Sequence, residues 1–90
     1  MNIRWTDWAA DQLNSSFEYI AFDNEEAAVH FAQRIHEAIN LIAKMPYIGR
    51  AGQEPDTREF VVAGSSYIIV YRIREEAVEI LSVWHGAQNR

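Results

Sequence analysis

Between Asn24 and the Pro46 that stops it, the chain repeats apolar residues at three- and four-residue spacing. Ala28, Phe31, Ala32, Ile35, Ile39 and Ile42 form one stripe, with Arg34, Glu37 and Asn40 on the far side. A helix so marked has to bury that stripe against something. Just upstream, Ala10, Leu13, Phe17, Ile20 and Ala21 give residues 7–22 the same period. Thr6 can cap this first helix and Asn24 the second, with Asp7, Glu25 and Glu26 suited to the positive helix ends. Two helices joined by about two residues make an antiparallel hairpin. Each large buried side chain returns roughly 1.5–3 kcal/mol, while ordering the backbone costs about 1–2 kcal/mol per residue. The hairpin therefore needs an apolar cover.

The rest of the chain supplies it. Asn2-Ile3-Arg4-Trp5 alternates polar and apolar, as a short first strand does. Gly49, Gly52 and Pro55 mark residues 46–56 as a loop. Arg58–Ala63, Tyr67–Arg74 and Ala77–His85 are rich in Val, Ile, Tyr, Phe and Trp, and the gaps between them are short enough for hairpins. Tyr67-Ile68-Ile69-Val70-Tyr71 is apolar on both faces, which marks a central strand. The order is β-α-α-β-β-β, an α+β fold with a helical hairpin on one face of a small, mostly antiparallel sheet. At 90 residues the chain is expected to form a single domain, 1–90.

Composition excludes several function classes. With no cysteine, disulfide scaffolds, zinc fingers and thiol nucleophiles all drop out. No run is apolar enough for a signal peptide or a membrane span, so a soluble, cytoplasmic protein is expected. The net charge of −5 argues against a general nucleic-acid binder, although the charge is unevenly spread. Residues 1–43 carry Arg4 and Arg34 against seven acids, while Lys44, Arg50, Arg58, Arg72 and Arg74 face only Glu54, Asp56 and Glu59 across residues 44–74.

Few residues offer catalysis. His30 and His36 lie about 240° apart on a helix, and His85 is remote in sequence, so no metal site is expected. The glycines form no phosphate loop, and Gly49-Arg50-Ala51-Gly52 reads as a turn. No nucleophile elbow surrounds Ser65 or Ser66. The arginines and His85 remain. By alternation Ile68, Val70, Arg72 and Arg74 share one strand face, and Leu81, Val83 and His85 share another. If those faces coincide, guanidinium groups and an imidazole border one surface able to hold phosphate or act on RNA. The plainer alternative pairs Arg58 and Arg72 with Glu59, Glu79 or other sheet neighbours.

Four segments also occur in a telling order: Pro46-Tyr47-Ile48-Gly49-Arg50, Thr57-Arg58-Glu59-Phe60-Val61-Val62, Tyr67-Ile68-Ile69-Val70-Tyr71-Arg72, and Val83-Trp84-His85-Gly86-Ala87-Gln88. This succession resembles the RelE/ParE family of bacterial toxins, most closely its ParE-like branch. Phe17–Ala21 and Asn24–Ala28 fit similar blocks of the family. The resemblance implies the toxin of a type II toxin–antitoxin pair, of the kind linked to plasmid stabilisation and growth inhibition. It implies no cofactor, a cognate antitoxin as partner, and a possible higher toxin–antitoxin assembly. ParE-like members poison DNA gyrase, whereas RelE-like members cut messenger RNA on the ribosome with several basic residues and a C-terminal aromatic or histidine. This chain begins its central strand without a basic residue, holds Lys44 as its one lysine, and has no tyrosine after His85. Gyrase is therefore the expected target. Ribosome-dependent cleavage of mRNA and a non-toxic binding module of the same fold are the alternatives. Arg50, Arg58, Arg72 and His85 are the expected contact residues, with His85, Arg58 and Arg72 as the catalytic set if the chain is a nuclease.

Overall fold

The computed structural model describes residues 1–86. Ala87, Gln88 and Arg90 lie outside them. β1 (Asn2–Trp5) leads into α1 (Asp7–Asp23) and α2 (Glu25–Lys44); β2 (Arg50–Ala51), β3 (Arg58–Val61), β4 (Tyr67–Arg74) and β5 (Ala77–His85) follow. The sheet order is β1-β5-β4-β3-β2. β1 runs parallel to β5, and every other pairing is antiparallel.

Capping residues fix the helical hairpin. The Thr6 hydroxyl accepts from the Ala9 N–H and donates to the Ile80 carbonyl, so the cap of α1 is also pinned to β5. Asn24 serves both helices. Its backbone N–H closes α1 on the Ile20 carbonyl, and its side-chain oxygen accepts from the Ala27 N–H to open α2. An extended backbone at this one residue turns the chain without any glycine.

The core lies between the hairpin and one sheet face. Phe31, Ile35, Ala38 and Ile42 of α2 meet Val62, Ile69, Tyr71, Val78, Ile80 and Val83. Ala28 is buried as the stripe predicts. On α1 the fully buried residue is Ala9 rather than Ala10; Leu13 and Ile20 pack against the core, and Phe17 is left partly exposed. The four apolar residues Ile68–Tyr71 are all buried, as a central strand requires.

Two departures from the sequence reading matter. The 46–56 segment is not all loop, because Arg50 and Ala51 pair with Glu59 and Arg58 as β2. Two residues are too few for composition to reveal a strand. The second departure is in the β4–β5 ladder, where a register shift between Val70 and Tyr71 leaves Leu81 bulged. Before it Tyr71 faces Ile80 and Arg72 faces Glu79; after it Val70 faces Ser82 and Tyr67 faces His85. One extra residue moves every later side chain of β5 to the opposite face.

Candidate functional site: an arginine-lined groove

β4 outruns its neighbour. β3 begins at Arg58 opposite Tyr71, so Arg72, Ile73 and Arg74 extend beyond it. The gap is a groove of about 680 Å³ lined by these three residues with Tyr47, Ala51, Asp56, Thr57 and Arg58. Three guanidinium groups therefore reach one concavity.

Each is held differently. Arg58 donates from Nη1 to the Gly49 carbonyl at 2.8 Å and to the Tyr47 carbonyl at 3.2 Å. Its guanidinium carbon also lies 4.9 Å from the centre of the Tyr47 ring, a cation–π contact. Arg72 donates from Nε to Glu79 at 2.6 Å across the ladder, leaving its terminal nitrogens available to the groove. Arg74 is exposed at the rim.

Tyr71 supports the groove wall from below. Its hydroxyl donates to the Pro46 carbonyl at 2.8 Å and accepts from the Gly49 N–H at 2.9 Å. Together Tyr71 and Arg58 clamp residues 46–49 from both sides. Burial pushes the Tyr71 phenol above its ordinary 10.0, while the Gly49 hydrogen bond and the Arg58 charge pull the other way. A raised acid pKa in the fold means that the unfolded chain loses this proton first. The stabilisation is complete below pH 10.0 and is lost as pH climbs through the folded value. An alkaline titration of thermal stability should show this loss, and Tyr71→Phe should flatten it.

The four expected contact residues separate. Arg58 and Arg72 line the groove. Arg50 instead approaches the buried carboxylate of Glu59 at 3.5 Å on the open sheet face. His85 is elsewhere. The faces do not coincide, because the Leu81 bulge turns His85 to the helix side, edge-on to Tyr67 at 5.1 Å between ring centres. Its register position, opposite Tyr67, is five residues from Arg72 along β4, about 17 Å. The plainer alternative holds for Arg72, which does pair with Glu79; Arg58 takes backbone carbonyls instead. Sequence reasoning missed Tyr47 as part of the groove and Tyr71 as its support, and it placed Arg74 on the face of Arg72 without counting it among the contact residues. Tyr47 stood inside a motif without any sign that its ring would meet Arg58.

A second concavity is apolar. Trp5, Leu13, Phe17, Phe31, Ile35 and Ile39 line about 360 Å³ between α1 and α2, with His36 at its edge. No helix among the described residues is long and apolar enough to cross a membrane.

Known proteins match this geometry and sequence. Y4kP of Sinorhizobium fredii, named as a candidate toxin, is 43% identical over 86 residues, covering 96% of this chain and 88% of the relative. The fold superposes on a protein of the chromosomal ParDE toxin–antitoxin system of P. aeruginosa with a TM-score of 0.85 at 20% identity, covering 94% of this chain and 95% of that one. The isolated RelE toxin of E. coli gives 0.69 at 14% identity, covering 98% and 86%. Residues 3–90 match the sequence model of the ParE toxin of type II toxin–antitoxin systems, parDE. The chain belongs to that toxin family, within the RelE/ParE superfamily.

Proposed function

We propose that this toxin poisons DNA gyrase and does not itself cut RNA. The carrying observation is the separation of charge from proton chemistry. The arginine groove gathers Arg58, Arg72 and Arg74 at the far end of the ladder, but His85 lies toward its other end and on the sheet face opposite Arg72 and Arg74. RNA cleavage needs a proton donor or acceptor within hydrogen-bond reach of the phosphate that the cations hold. A gap of four to five residues along β4, about 13–17 Å, does not provide it. The groove suits gripping instead, since guanidinium forks hold carboxylates or phosphates without a bond being broken.

An antitoxin silences the toxin in this reading. The apolar concavity beside α1 and α2 has a lining suited to side chains from the apolar face of an amphipathic helix. The system in the P. aeruginosa structure is a toxin–antitoxin system, which supports the same kind of partner here.

The deciding experiment induces the protein and follows two readouts together. Supercoiling should fall with accumulation of trapped DNA breaks, while transcripts on ribosomes stay intact. Prompt, codon-phased transcript cleavage with normal supercoiling would overturn the proposal in favour of a ribosome-dependent nuclease.

A further inference from the structure

The outer face of α1 is neither core nor groove. Trp8, Tyr19 and Phe22 are 67%, 81% and 96% exposed. Their spacing places them on one row of the helix spanning about 21 Å. That row lies about 140–180° around the helix from Phe17, which lines the apolar channel, so the two surfaces point away from each other. Single exposed apolar side chains are ordinary, but three aromatic residues aligned on one row mark a contact surface.

Charge tells what it contacts. α1 contains Asp7, Asp11, Glu18 and Asp23 and no lysine, arginine or histidine. Asp7, Asp11 and Glu18 fall in a row of their own beside the aromatic one. Glu25 and Glu26 extend the acidic character past the hairpin turn. After Arg4, no arginine or lysine appears until Arg34. Carboxylates flanking aromatic faces complement a surface bearing arginine and lysine, which meets the acids as ion pairs and the rings through cation–π contact. A protein that grips DNA displays such a surface, because phosphates demand cations.

We infer that the outer face of α1 docks on the basic, DNA-handling surface of the target topoisomerase. The inference rests on the gyrase reading above and adds to it a second contact of opposite sign. The acidic helix face meets basic protein, and the arginine groove on the sheet meets anionic groups of the same protein–DNA assembly. A toxin of this build has to lose target affinity as salt rises.

The test measures binding of the purified toxin to purified gyrase at low and physiological salt, beside binding to the antitoxin. Two double variants probe the face: Asp11→Asn with Glu18→Gln for charge, and Tyr19→Ala with Phe22→Ala for the rings. All four positions are exposed, and circular dichroism with a thermal melt confirms folding of each variant. Each pair should weaken gyrase binding by roughly tenfold or more with antitoxin affinity unchanged, and the charge pair should flatten the salt dependence. Wild-type toxin that does not bind gyrase at all would sink the gyrase reading. Wild-type binding with folded variants that bind equally well would overturn the docking inference alone. Loss of antitoxin and gyrase binding in equal measure would also overturn it, by giving the face to the antitoxin.

Discussion

Replacing Gly49 with alanine should destabilise the protein by about 2–3 kcal/mol. In thermal melting the midpoint should fall by roughly 10–20 °C. A Cβ at this position would lie 2.6 Å from the Tyr71 hydroxyl oxygen, 2.9 Å from its Cε1 and 3.0 Å from the Glu59 carbonyl oxygen. The last of these is backbone and cannot move aside cheaply. Where space allows, a Gly→Ala change raises stability by about 0.4–1 kcal/mol through the unfolded chain, so the sign of the result is itself diagnostic. In a Tyr71→Phe background the substitution should cost less than the two single effects combined, because the hydroxyl it strikes is gone. A stabilised Gly49→Ala protein would mean that the clamp on residues 46–49 is not as tight as described.

Arg58→Ala should abolish toxicity while leaving a folded protein. Its structural cost should be about 1–2 kcal/mol, from the two carbonyl hydrogen bonds it makes. Its functional cost should be far larger, since the same side chain orders Tyr47 and supplies the groove with charge. Arg58→Lys should not restore activity, because Nη1 alone holds both carbonyls while the rest of the planar guanidinium faces the Tyr47 ring and the groove. An ammonium point charge spent on the carbonyls leaves no donors for the groove. His85→Ala should remain toxic. Growth assays on the three variants, each matched with a melting curve, check these outcomes. A toxic Arg58→Ala protein beside an inactive, folded His85→Ala protein would reverse the assignment and point to nuclease chemistry.

Much of this architecture is legible in the sequence because local chemistry and tertiary role agree. Thr6 and Asn24 are good caps and act as caps, and Ala28, Phe31, Ile35 and Ile42 of the α2 stripe are buried, although Ala38 takes the buried place and Ala32 lies exposed. Tyr67–Tyr71 reads as a central strand and lies in the middle of the sheet. The site is less legible, and the reason is the single bulged residue Leu81. Unbroken alternation through β5 from the Glu75-Glu76 turn pairs Val83 with Ile68 and sets His85 on the arginine face. The inserted residue pairs Val83 with Ile69 instead and carries His85 to the helix side. No residue type announces that insertion, since leucine is as ordinary in a regular strand as in a bulge. Nor does the sequence show that β4 outruns β3, which is what opens the groove.

The parallel pairing of β1 with β5 also sets when this fold can close. Asn2 lies opposite Ala77 and Trp5 opposite Ile80, so the first strand finds its neighbour only in the last one. Contacts so distant along the chain form late and slowly, because loop closure has to precede the gain. During synthesis the first strand and both helices emerge before any sheet exists to receive them, and the strand that bears Arg72 is flanked on both sides only once β5 follows it. The helical hairpin thus waits for almost the whole chain: the sheet that covers it closes only when residues 77–80 are in place beside β1.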